Sequence, residues 1–166
     1  MDTPAQLMPE FTLATAGSGL ELDLDRPLTP LLLLFHDQHS AQTALSVNLA
    51  VRERVAEADD LLIASVVNMS SVPRLFRPMA QAALDKGYQD AAQRLPDGMD
   101  PERYILILPD WSGEVTGFTG FTGLDRQPGA LLVASEGQIL GSYQGPAAQE
   151  QILSWLDGLD LSRSAD

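Results

Sequence analysis

A chain of 166 residues with 45% apolar side chains is long enough to bury one core, and it contains no cysteine. The missing thiols exclude disulfides, thiolate nucleophiles, iron–sulfur clusters and cysteine zinc sites. Ten Lys and Arg stand against 23 Asp and Glu, and the formal charge of −13 repels phosphate backbones and anionic lipid. Neither nucleic acid nor membrane is therefore an expected partner. Arg74 and Arg77 are the one local cationic pair of note, and two arginines are too few for a nucleic-acid patch. The opening Met1-Asp2-Thr3-Pro4 has no basic residue and leads into no apolar run. Leu31–Phe35 is too short to span a bilayer, so a cytoplasmic location is expected.

In chain order, Phe11-Thr12-Leu13 and the alternating Leu20, Leu22 and Leu24 flank Gly17-Ser18-Gly19, which predicts a short N-terminal hairpin with one buried face. Pro30 then opens the unbroken apolar run Leu31–Phe35, the pattern of a central strand covered on both faces. Ser40 starts a helical stretch to about Ala58. Ala41, Leu45 and Leu49 form one apolar line there, and Ala44, Val47, Val51 and Val55 widen it. Leu61–Val67 reads as a second buried strand, Met79–Leu95 as an alanine-rich helix, and Tyr104–Leu108 as a third strand stopped at Pro109. A glycine-rich loop, Gly117–Gly123, precedes a hairpin of Ala130–Ala134 and Gln138–Tyr143 about Glu136-Gly137. The final helix begins after Pro146, with Ile152, Leu153, Leu156 and Leu159 at helical spacing, and Leu161–Asp166 is expected to fray. The whole of 1–166 is read as one α/β domain with a mixed central sheet flanked by helices, its core at about 9–157 and a tail at 158–166.

This order and four short motifs resemble the thioredoxin-like superfamily, in particular its peroxiredoxin and thiol-oxidoreductase branch. The motifs are Pro9-Glu10-Phe11-Thr12-Leu13, the strand Leu32–Phe35, the turn Asp110-x-x-Gly113, and Pro128 nine residues before Gly137. The resemblance implies that Pro128 follows a cis peptide bond and that the backbone of Gln127 could pair with an extended peptide. It also implies a Cys-x-x-Cys at the start of the helix after Phe35. Ser40-Ala41-Gln42-Thr43 stands there instead, so Ser40 and Thr43 occupy degenerate active-site positions. A helix N-terminus lowers the pKa of a thiol, but it does not bring a serine near ionisation. The expected task of Ser40 is to cap the helix through its hydroxyl. Cysteine-free members of this superfamily occur in bacteria, often without an assigned role, and the chain resembles those most.

Three places remain as candidate sites. His36-Asp37-Gln38-His39 holds both histidines, and His36, Asp37 and His39 could bind a metal, offer a polar binding surface or simply form a solvated loop. Gly117–Gly123 lacks the Lys-Ser/Thr of a phosphate loop; Phe118 and Phe121 would make a docking patch if they were exposed, but burial of one or both is the leading expectation. Gln127-Pro128 is the third. The leading expectation is a non-catalytic module that binds a protein or peptide, with a homodimer possible and no cofactor. The rival is a metal-dependent or other non-thiol enzyme using His36, Asp37, His39 or Ser40.

Overall fold

The computed structural model describes residues 4–159, so the tail expected to fray at 161–166 lies outside the described residues. Among the described residues there are seven strands and five α-helices; the strands and three of the helices (at 41–54, 77–94 and 148–157) follow the anticipated order, and the two short helices are additional. The strands are β1 (Thr12–Ala14), β2 (Glu21–Asp23), β3 (Leu31–His36), β4 (Leu62–Asn68), β5 (Leu106–Asp110), β6 (Gly129–Val133) and β7 (Ile139–Gln144). The helices are α1 (Ala41–Arg54), α2 (Arg77–Arg94), α3 (Pro101–Tyr104), α4 (Glu114–Thr119) and α5 (Ala148–Asp157). β1 and β2 form the antiparallel hairpin; the rest make a mixed five-stranded sheet in the order β5-β4-β3-β6-β7. β3 is central, parallel to β4 and antiparallel to β6.

The unbroken apolar run of β3 is explained by its two covered faces. Leu31, Leu33 and Phe35 join Leu24, Val66, Leu108 and Val115 in one core, with Phe11, Leu13 and Leu22 of the hairpin region packed against it. Leu32 and Leu34 face the other way, onto Val47 and Val51 of α1 and Ile152 and Leu156 of α5. Every side chain from Leu31 to His36 is buried. At about 1.5–3 kcal/mol for each large apolar side chain removed from water, this strand contributes more than any surface feature could.

Three expectations need correction. On α1 the buried line is Ala44, Val47 and Val51, continued by Val55, while Leu45 and Leu49 are exposed. Two apolar lines run one residue apart, about 100° around the helix, and a flat sheet can cover only one of them. The third strand begins two residues later than its apolar pattern indicated. Asp100 caps Pro101–Tyr104 into a helical turn by accepting from the Glu102 N–H, and the Tyr104 hydroxyl lies 3.2 Å from the Ala58 N–H. The strand then runs through Pro109 rather than stopping there. β5 is an edge strand, so the missing proline N–H on its open side breaks no ladder bond.

The glycine-rich loop is also different. Gly117 lies inside α4, and Gly120, at φ 75°, ends that helix in the left-handed conformation that glycine adopts without strain. Of the expected loop, Gly117–Thr119 belong to this capped helix, and only 121–123 have no regular structure.

The candidate site at the carboxyl end of the sheet

The parallel strands β3, β4 and β5 end side by side at His36, Asn68 and Asp110, and antiparallel β6 starts at the same end opposite Phe35. In open α/β sheets this is the end at which loops converge on ligands. The His36–Ser40 loop, the Asp110–Gly113 turn and Gln127-Pro128 all lie at this end.

Within the His36–Ser40 loop the polar groups are turned onto one another. His36 is buried, and its Nδ1 lies 2.9 Å from the Asp37 carbonyl oxygen, which makes Nδ1 the protonated nitrogen. Burial holds the imidazole pKa below its ordinary value of 6.5, against the opposing pull of that hydrogen bond and of the Asp37 charge. Asp37 Oδ1 accepts from the backbone N–H of His39 at 2.7 Å and of Ser40 at 3.2 Å. Its Oδ2 lies 3.5 Å from His39 Nδ1.

Ser40 is almost wholly buried, and its Oγ accepts from the Asp37 N–H at 3.3 Å. This corrects the expectation that Ser40 caps α1. With φ −103° and ψ 6° its hydroxyl makes no bond to the first-turn N–H groups and closes the preceding turn instead. Asp37 and Ser40 thus brace each other reciprocally across the loop. The partner of Ser40 Oγ is an N–H donor, and among the described residues its own O–H has no hydrogen-bond acceptor of the kind that activates a nucleophile. Thr43 lies exposed on the first turn of α1. Among the described residues, no three His, Asp or Glu side chains gather in an arrangement that could hold a metal ion.

Gln127-Pro128 departs from the implied pattern in two respects. The peptide bond is trans, as are all those described. The Gln127 N–H donates to the Gly123 carbonyl at 3.2 Å, and its own carbonyl accepts from Gln144 Nε2 at 2.9 Å. Both backbone groups that a peptide strand would need are therefore engaged inside the chain. In this conformation an extended peptide would have to compete with the Gly123 and Gln144 bonds to pair at Gln127. Beside it lies an open polar depression of about 590 Å³ lined by Thr122, Gly123, Arg126, Gln127 and Gln144.

Phe118 and Phe121 are half-buried, which removes the aromatic docking patch. Phe118 meets Phe11 edge-on at 6.0 Å between ring centroids, and Phe121 meets Phe35 at 5.5 Å. Gly129 makes the second contact possible, because a Cβ there would overlap the Phe121 ring. On the other side of this end, Asp110 is fully buried and anchors its turn. Oδ1 accepts from the Gly113 N–H at 3.1 Å, and Oδ2 accepts from both the N–H and the hydroxyl of Thr116 at 2.8 Å. The Asp-x-x-Gly motif is thus a helix-capping device, with Gly113 at φ 76° supplying the turn.

The sequence reading passed over one feature of this end. The Arg77 guanidinium lies 5.5 Å from the centre of the Trp111 ring, joining the start of α2 to the end of β5. Around it Leu75, Phe76 and Met79 are 81%, 50% and 71% exposed. The available signal was the low content of large apolar residues in α2, which buries none of its residues.

Together, the mixed sheet, its helices and the N-terminal hairpin define a thioredoxin-like fold in a chain without cysteine. Neither a protein-family model nor a curated protein sequence matches the chain. Solved structures do. The exposed lipoprotein thioredoxin of Streptococcus pneumoniae is 22% identical, with a TM-score of 0.59 over 90% of this chain and 98% of that one. A thiol:disulfide interchange protein of Chlorobium tepidum is 12% identical, with a TM-score of 0.60 over 95% and 98%. A secreted disulfide oxidoreductase of Mycobacterium tuberculosis is 15% identical, with a TM-score of 0.55 over 90% and 96%. At these identities the likeness is one of fold. Among the described residues no helix is long and apolar enough to cross a membrane.

Proposed function

We propose that this chain is a non-catalytic module with a thioredoxin-like fold that acts by binding a protein or peptide. The observation that carries the reading is the absence of any cysteine on this scaffold. A hydroxyl cannot cycle between dithiol and disulfide, and Ser40 Oγ is already committed to the Asp37 N–H. The His36–Ser40 loop supports the same reading, since Asp37 Oδ1 is taken up by the His39 and Ser40 N–H groups and His36 Nδ1 by the Asp37 carbonyl. A cytoplasmic location belongs to the proposal and is consistent with a fold that needs no disulfide.

Two measurements on the purified chain test this reading. Reduction of insulin disulfides in the presence of dithiothreitol should not exceed the reagent alone, and elemental analysis should find no stoichiometric transition metal. Robust turnover, or one equivalent of zinc, copper or iron that is lost in His36→Ala, would replace the binding reading with an enzymatic one.

A further inference from the structure

Five of the nine described cations of this acidic chain have an ion-pair or carbonyl partner within it. Among the described residues, Arg26, Arg54, Arg103 and Arg126 pair with carboxylates, and Arg52 donates to the Val55 and Leu61 carbonyls. The others described are Arg74, Arg77, Lys86 and Arg94, and none of these is in an ion pair there. All four lie in the 3-10 turn Arg74–Phe76 or in α2. Of the two carboxylates in that stretch, Asp85 accepts from the Gly17 N–H and from Gln81 Nε2, which leaves Asp90. A segment of net positive charge thus stands on a chain of −13.

The same segment carries the exposed apolar side chains. Leu75 of the 3-10 turn precedes Met79 by four residues, and Ala82, Ala83 and Lys86 continue the Met79 face of α2 as exposed positions. Phe76 flanks them, and the Arg77 guanidinium lies over the Trp111 ring, its Nε buried and without a hydrogen-bond partner. Three large apolar groups, half-exposed or more, on the same segment as cations that are in no ion pair among the described residues make a mixed apolar and basic surface.

From this juxtaposition we infer that the Arg74–Arg94 face docks an acidic amphipathic segment of a partner protein, one that presents leucine-like side chains between carboxylates. The inference rests on the binding reading above and names its surface and the chemistry of its partner. The charge pattern argues against the other occupants. A second copy in a two-fold dimer would set this positive face against itself. A nucleic acid would gain nothing from Leu75, Phe76 and Met79 and would meet the repulsion of the whole chain. A short acidic peptide bears few enough charges to feel mainly the local cations, because the Debye length is about 8 Å at physiological salt.

The probes are two labelled amphipathic peptides with leucine at i, i+3, i+4 and i+7, one with glutamate and one with lysine at the remaining positions, followed by fluorescence anisotropy. The glutamate peptide should bind and the lysine peptide should not. Leu75→Ser/Met79→Ser and, independently, Arg74→Ser/Arg94→Ser should each weaken binding about tenfold, the arginine variant more at low salt than at high. The substituted side chains are exposed or on the wet side of α2, and far-UV circular dichroism checks that both variants keep the fold. Equal binding of both peptides, or of wild type and both variants, would overturn the inference. So would a dimer in sedimentation that dissociates in Met79→Glu. A blank insulin and metal assay together with any of these results refutes the surface while leaving the binding reading intact; a positive enzymatic assay refutes the binding reading itself.

Discussion

Replacing Asp110 with alanine removes the acceptor of three hydrogen bonds at the point where β5 turns into α4. Two of the donors belong to Thr116, which is buried, while Gly113 is half-exposed and its N–H can be reached by water. A buried donor left without an acceptor costs about 1–3 kcal/mol. The carboxylate itself is costly to bury, which offsets part of what its bonds contribute. A net loss of about 3 kcal/mol is expected, a fall in Tm of roughly 6–12 °C for a chain of this size. Thr116→Val removes only the hydroxyl bond and should cost about 1 kcal/mol. Urea unfolding of both single variants and the double variant gives the coupling between them, which should be favourable and about 1 kcal/mol. An Asp110→Ala loss below about 0.5 kcal/mol, within the range of ordinary surface substitutions, would refute the view that this carboxylate holds the turn together.

Two further outcomes follow from the same end of the sheet. Buried His36 has its folded-state pKa below the ordinary 6.5, so in the window between the two values the unfolded chain binds the extra proton. Its contribution is complete above pH 6.5 and is lost as pH falls through the folded value, with a slope of up to about 1.4 kcal/mol per pH unit. The difference in urea stability between wild type and His36→Asn should change with pH in this window, and a pH-independent difference would contradict the burial argument. Gly129→Ala places a Cβ in the Phe121 ring and should cost about 2–4 kcal/mol by overpacking and by separating Phe121 from Phe35. Phe121→Ala in the same background should recover part of that loss in thermal unfolding, and a simply additive double variant would show that the two positions do not collide.

What could be read along the chain was whatever repeats locally. Leu31–Phe35 declared a strand covered on both faces because no polar residue interrupts it, and the order of strands and helices followed from similar patterns. The absence of thiol chemistry needed no structure, since it depends on which atoms the chain possesses. Where competing local patterns existed, packing chose between them. The leucine and valine lines of α1 were equally apolar, and only the position of the sheet buried Val47 and Val51 and left Leu45 and Leu49 in water.

The site was less legible, because hydrogen bonding there joins residues whose partners are decided by chain direction rather than residue type. Ser40 had the right identity for a helix cap, yet its backbone angles turn the hydroxyl back to Asp37. Gln127 had a free backbone on paper, and Gln144, seventeen residues away, takes its carbonyl. The burial favoured for Phe118 and Phe121 is partial, and only the fold names Phe11 and Phe35 as their partners. The sequence by itself determined that this thioredoxin-like chain has no redox cysteine, because composition alone settles that. Only the tertiary structure decided that Ser40 braces the Asp37 loop and that the Arg74–Arg94 face is left bare, because burial and partner choice arise from elements distant in sequence meeting in space.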